Sequence, residues 1–284
     1  MLGTENEILT ADSLLDRLNA NYTVSKRIVE YAGKAGACYA NDYAVVARDD
    51  NDSPLSVMGE GYNIVQNREF AETIVQACEL FGLKFRRGGL VKGGKSLFVD
   101  LLWGDPIDGF QNRFGKELFR KELRAYASHC GRANWYDARI VRMACLNTCT
   151  VESRPMMERF AASVGRVDAK RIRLTHKGEV AEKLAGIANT LNGSISKYDA
   201  AIVAFHSFDE VSFNRTQASE FFKELTVTPA EKAGELPSTR VKNTREKLLS
   251  LYQAGRGNHG VSLWDAFNAV TEYAEHHHTK ATDS

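Results

Sequence analysis

The chain has 284 residues, 43% hydrophobic and 26% charged, with a formal net charge of +1. These are ordinary values for a soluble globular protein of one or two domains. No stretch approaches the roughly 18 uninterrupted apolar residues of a membrane helix. The acidic start, Met1 to Asp16, lacks the basic-then-apolar build of a signal peptide. Five cysteines, an odd number without regular spacing, argue against a disulfide framework and for reduced thiols in a cytosol.

Residues 1–40 read as an acidic, partly helical lead-in. Tyr43 to Arg48 reads as a strand that ends at the turn signal Asp49-Asp50-Asn51-Asp52-Ser53-Pro54. Asn67 is placed to N-cap a helix that turns Phe70, Ile74, Cys78 and Phe81 to one side, with Gly82 to end it. Leu83 to Trp103 holds two β-prone runs around Gly88-Gly89 and Gly93-Gly94, which suggests a hairpin or bent strands. Glu122–Ser128, Ala138–Ala144 and Arg171–Thr175 read as further strands, and Ser153 caps an expected short helix closed by Gly165.

From Val180 to Phe205 apolar residues step by three or four, which gives one long amphipathic helix, or two broken at Asn192-Gly193. Further helices are expected around Phe221–Leu225 and Thr244–Tyr252. Ser262-Leu-Trp-Asp265 opens a last one in the manner of a capping box. On this last helix Leu263, Phe267, Val270 and Ala274 form the core stripe, and Trp264 and Asn268 share a different, structural face. There Asn268 is expected to tie the helix to the rest of the fold through hydrogen bonds. The fold class expected is α+β: an antiparallel-rich sheet with packed helices, followed by a helical C-terminal region. The divisions are 1–40, an α+β core with a basic surface at 41–178, and 179–284.

Charge is sorted along this order. Residues 1–83 carry 6 Lys+Arg against 13 Asp+Glu, residues 84–177 carry 20 against 9, and residues 178–284 carry 11 against 14. A basic middle hidden in a neutral total is the footprint of a phosphate-binding surface. The nominated binding residues are Arg86, Arg87, Lys92 and Lys95 on the Gly-rich hairpin, Arg120, Lys121 and Arg124 leading into the next strand, Arg132 after it, and Arg171 with Arg173. On strand 138–144 Arg139 and Arg142 have opposite parity, so one can bind while the other pairs with a core carboxylate. Phe85, Phe110, Phe114, Phe119, Tyr126, Trp135 and Tyr136 are interleaved. Cations interleaved with aromatics suit single-stranded nucleic acid, whose bases stack. Phe85, alternating with Arg86, is expected to pack inward.

Gly89-Leu-Val-Lys-Gly-Gly94-Lys95-Ser96 matches the phosphate-loop pattern letter for letter. That loop needs a helix after it, whereas Leu97 to Trp103 reads as a strand, so a strand connection without nucleotide is expected. His129 and Cys130 are strand neighbours and face apart, which removes the simplest thiol–imidazole pair. Cys130, Cys145 and Cys149 lack the paired knuckles of a zinc site. Consecutive His276, His277 and His278 face different directions. No catalytic residue, cofactor or metal is nominated.

Several segments together resemble the phage/plasmid-like proteins grouped as domain of unknown function 932. They are the closing Ser262-Leu-Trp-Asp-Ala-Phe-Asn-Ala-Val-Thr-Glu-Tyr273, Arg139-Ile-Val-Arg-Met-Ala-Cys-Leu-Asn-Thr148, Tyr62-Asn-Ile-Val-Gln-Asn67 and Gly93-Gly-Lys95. Ser128-His-Cys-Gly-Arg132 is similar to that family's Ser-His-Asp-Gly-Ser turn, with Cys130 and Arg132 as departures. The resemblance spans about residues 55–278. It implies a mobile-element gene product working in a bacterial cytoplasm and carries no established activity. The function expected is binding, with strand annealing as one form of it, of single-stranded nucleic acid in replication or recombination without nucleotide hydrolysis. A phage protein that binds a host protein is the alternative, and a phosphate-loop NTPase stands third. A second copy of the chain is a further partner to consider, and a membrane is not.

Overall fold

A computed structural model describes residues 9–34, 36–105, 107–132, 134–143, 172–174 and 180–277. They form an α+β fold with the sheets first and most helices last. The order is α1 (Ala11–Leu18), β1 (Val24–Gly33), β2 (Gly36–Arg48), β3 (Pro54–Gly59), α2 (Asn67–Phe81), β4 (Leu83–Val91), β5 (Ser96–Trp103), β6 (Ile107–Asn112), β7 (Gly115–Ser128), β8 (Asn134–Arg142) and β9 (Ile172–Leu174). Then come α3 (Val180–Glu210), α4 (Arg215–Leu225), α5 (Pro229–Lys232), α6 (Thr239–Ala254) and α7 (Leu263–Glu272), with a π-helical turn over Tyr273–His277. One sheet runs β1-β2-β3. The other runs β4-β5-β7-β8-β9, and β6 pairs with β7. The chain divides into two units. The first is drawn from Met1–Gly104, Glu122–Ala138 and Lys170–Gly193, the second from Asp105–Lys121, Arg139–Ala169 and Ser194–Ser284. β7, β8 and α3 therefore each contribute to both units.

In the first unit, period-2 alternation puts Leu97, Val99 and Leu101 of β5 with Leu123, Ala125 and Ala127 of β7 on one face, each at most 3% exposed. The apolar stripes of α1 (Leu14, Leu15, Leu18) and α2 (Phe70, Ala71, Ile74, Ala77) are buried as well. α1 lies so close to β4 that a Cβ on Gly88 would meet Leu18 Cδ2 at 2.4 Å. Thr10 and Ser13 form the capping box of α1. Gly82 ends α2 as expected, in the left-handed region at φ 63°. The N-cap of α2 is Gln66, one residue earlier than the sequence suggests. Asn67 is the first helical residue, and its side chain is taken up by tertiary bonds. Much of the 1–40 lead-in is strand: β1 and the start of β2 form a hairpin with many exposed residues.

The core of the second unit is aromatic. The Trp264 ring stacks on Phe267 at 5.5 Å and 13° and meets the edges of Phe110 and Phe119 at 5.7 and 5.9 Å. Ser262 and Asp265 form the expected capping box of α7. Every residue from Trp264 to Glu272 is buried, so this helix has no separate polar face. Asn268 Nδ2 donates to Trp264 O at 2.8 Å within the same helix, which corrects the expected tie to other elements. An i−4 carbonyl is the nearest acceptor for a short amide on a fully packed helix. α3 passes Gly193 without a break and settles the one-helix-or-two question in favour of one. The expected helix at 153–165, Cys145 and Cys149 lie outside the described residues.

Candidate nucleic-acid interface

The β4–β5 connection is a hairpin turn. Lys92, Gly93 and Gly94 have φ of 55°, 66° and 91°, the left-handed backbone that a tight reversal demands. Ser96 opens β5, not a helix. Its hydroxyl is fully buried and bonds Ser128 Oγ at 3.4 Å. The letters of a phosphate loop are present without its strand–loop–helix geometry. The tip is pinned by Tyr22, whose Oη donates to Gly94 O at 3.2 Å and whose ring lies 3.8 Å beneath the Arg48 guanidinium. Burial raises the Tyr22 pKa.

The other face of the first unit's sheet is built from rows of residues paired across strands. Gly89 pairs with Phe98, and Phe98 with Tyr126. The Tyr126 ring stacks on Trp135 at 5.0 Å and 11°, and Trp135 pairs with Arg173 of β9. Gly89 leaves the Phe98 ring uncrowded, since a Cβ there would only just touch it. Phe98, Tyr126 and Trp135 are all half-buried.

The adjacent row is Arg87, Asp100 and Arg124, paired side by side across β4, β5 and β7. Asp100 has no exposed surface. Arg124 grips it with two bonds, Nε to Oδ1 at 2.6 Å and Nη2 to Oδ2 at 2.8 Å, and Arg87 Nε adds a third at 2.8 Å. The Arg124 guanidinium also lies 5.0 Å over the Phe98 ring and so joins the two rows. Next along the sheet, fully buried Glu122 pairs with Arg86, whose side chain is only 12% exposed. A bulge between Phe85 and Arg87 brings Arg86 to this position. Phe85 pairs with Leu101 and lies under Arg17, so it belongs to the helix-covered face as expected.

The nominated cations therefore separate into groups. Arg86, Arg87 and Arg124 share one face and are held by two carboxylates. Arg87 keeps 55% of its side chain exposed. Lys92 and Lys95 flank the hairpin tip and are exposed, and Arg132 is exposed in the turn after β7. Arg120 and Lys121 belong to the second unit, Arg173 is placed only by its backbone, and Arg171 lies outside the described residues. Arg139 and Arg142 are both buried, so neither serves a surface. Asp100, Glu122 and Phe98 escaped the sequence reading. A lone carboxylate inside the apolar run Leu97–Trp103 was the available signal, because a buried charge needs a partner.

The turn after β7 is a structural clamp. Asn67 Nδ2 donates to Ala20 O and Tyr22 O at 3.0 and 3.3 Å, which orients its Oδ1 to accept from His129 Nε2 at 2.8 Å. His129 thus turns away from Cys130, whose N–H donates to Ser128 Oγ instead. Ser56 Oγ donates to His129 O, and Tyr62 Oη to Ser128 O.

The family model described as Domain of unknown function (DUF932) matches residues 54–284. The chain belongs to this family. Comparison with curated proteins and with solved structures finds no match. The DUF932 region starts at β3 and contains the whole arginine–aromatic face, while α1, β1 and β2 precede it. No helix of the described residues is long and apolar enough to cross a membrane.

Proposed function

We propose that this chain binds single-stranded nucleic acid on the Phe98–Tyr126–Trp135 face, in replication or recombination of a phage or plasmid within a bacterial cytoplasm. The observation that carries the reading is the aromatic row set beside Arg87 and Arg124. Flat rings on a sheet accept unstacked bases, and guanidinium groups next to them meet the phosphates. Two buried carboxylates offset most of the charge of Arg86, Arg87 and Arg124. Stacking therefore has to supply much of the affinity, and base-paired strands, which hide their faces, are the poorer ligands. No nucleotide hydrolysis is involved in this reading.

The test is titration of fluorescently labelled single- and double-stranded oligonucleotides at several salt concentrations. Tyr126→Ala and Trp135→Ala are each expected to weaken single-strand binding by about 1–3 kcal/mol. Duplex preferred over single strand, or affinity unchanged in both variants, would reject the proposal. A stoichiometric complex with a host protein in place of nucleic acid would support the alternative class.

A further inference from the structure

β1 is one edge of the three-stranded sheet, and its backbone bonds show which of its peptide groups point outward. Thr23 O accepts from the Asp49 N–H at 3.0 Å, so the odd-numbered residues turn their peptide groups toward β2. Val24 turns the other way. Its N–H donates to Gln66 Oε1 at 3.1 Å, and its O accepts from Gln66 Nε2 at 2.8 Å. A side-chain amide thus takes the first rung of the edge, as a further strand would. Ile28 pairs with Ala44 and Val29 with Ala40, so the extra residues 41–43 lie on β2 and β1 keeps its alternation. The next outward rungs are therefore Lys26, Ile28, Glu30 and Ala32. Among the described residues no strand or loop bonds their peptide groups.

Such an edge is a template for another strand. β1 has ten residues and no proline to block pairing. Half of the large exposed apolar side chains among the described residues, namely Ile28, Tyr31, Tyr39, Tyr43 and Val57, lie on this one sheet. That concentration marks the sheet as an interaction surface.

The sequence of β1 is complementary to itself. A second antiparallel β1 that uses the outward rungs must set even-numbered residues opposite even-numbered ones. Glu30 opposite Glu30 brings like charges together, and Ile28 opposite Glu30 sets an apolar group against a charge. Registers closer to Val24 leave fewer rungs, because Gln66 holds that one. Ile28 opposite Ile28 sets Lys26 opposite the partner's Glu30, twice by symmetry, and covers a side chain that is 76% exposed. Glu30 is exposed. Lys26 Nζ donates to Glu60 O, and an ammonium group has two further N–H donors for a carboxylate. We propose that β1 pairs with the β1 of a second copy of this chain, antiparallel about a two-fold axis at Ile28, so that the two sheets become one. The pairing strand lies ahead of the DUF932 region, and the proposal does not rest on the nucleic-acid reading.

Sedimentation velocity of the full chain tests it, with a concentration-dependent dimer expected. Ile28→Pro removes an outward N–H that serves no bond to β2, so it should abolish the dimer and leave the circular dichroism spectrum intact. Lys26→Glu sets two Glu–Glu pairs opposite each other, and Glu30→Lys two Lys–Lys pairs. Each is expected to raise the dimer dissociation constant about tenfold. An equimolar mixture of these two variants should restore the affinity of the native chain, because every charge then meets its opposite. Should Ile28→Pro fail to fold, the mixture decides alone. Tyr126→Ala should leave the dimer unchanged. A monomer throughout the micromolar range, a dimer that persists in folded Ile28→Pro, or a mixture no tighter than its separate components would each overturn the proposal.

Discussion

Asp100 sits between two guanidinium groups with no surface of its own, and the consequences fall unequally on its partners. Arg124 is largely covered, so removing the carboxylate takes two hydrogen bonds from a charge that water reaches poorly. Arg87 is more than half exposed and can turn to solvent. Asp100→Ala is therefore expected to cost about 3 kcal/mol, the lower end for breaking a buried pair, measured by urea unfolding. The same inequality separates Arg86 from Arg87. Arg87→Ala should lower the salt slope of single-strand binding by ~0.7, the loss of one phosphate contact. Arg86→Ala should act through stability, because it takes the Arg86 guanidinium away from a fully buried carboxylate. A full slope change from Arg86→Ala with stability intact would reverse these assignments. The clustering of these arginines was legible from their neighbourhood in the chain. Their pairing was not, because Asp100 and Glu122 reach them through strand register and a one-residue bulge, which arise from contacts distant in sequence.

Among the elements, those with local punctuation were the readable ones. Gly82 and the Ser262–Asp265 box mark helix ends by their own chemistry, and the paired glycines mark the hairpin. β1 was missed because its faces are mostly exposed, so Lys26, Arg27 and Glu30 break any apolar alternation. β6 was missed because Gly109 interrupts a six-residue strand. The start of β1 is fastened to the end of β2 by side chains. Hydrogen bonds from Ser25 and Thr23, with Arg27, hold the Asp49 carboxyl below its usual pKa, and Arg48 does the same for Asp50. A depressed carboxylate contributes stability above its unfolded pKa and loses it as pH falls through the folded one. Amide exchange protection in β1 and β2 is thus expected to hold at neutral pH and to drop below about pH 4. Asp49→Asn should lower protection at pH 7 and have a smaller effect at pH 3. An equal effect at both values would show that the charge of Asp49 is irrelevant to the fastening.

At the scale of the whole molecule, the two units alternate along the chain, and β7, β8 and α3 each pass from one to the other. Continuous strands and a continuous helix transmit loss of structure along their own hydrogen bonds. Thermal unfolding followed by far-UV circular dichroism and by tryptophan fluorescence is expected to give one coincident transition. Two separated transitions would show that the shared elements fray independently on either side of the boundary.

The interleaving also sets an order of events on the ribosome. β8 is complete at Arg142, but its outer neighbour β9 begins at Ile172. The segments of the first unit extend to Gly193. At about 5–20 residues per second, residues 105–193 take of the order of 5–20 s to appear. During part of that time each nascent chain displays an unpaired strand edge to the other chains growing on the same messenger. Slow decoding of the codons between β8 and β9 would lengthen that exposure, so synonymous changes there should alter soluble yield although the protein is unchanged.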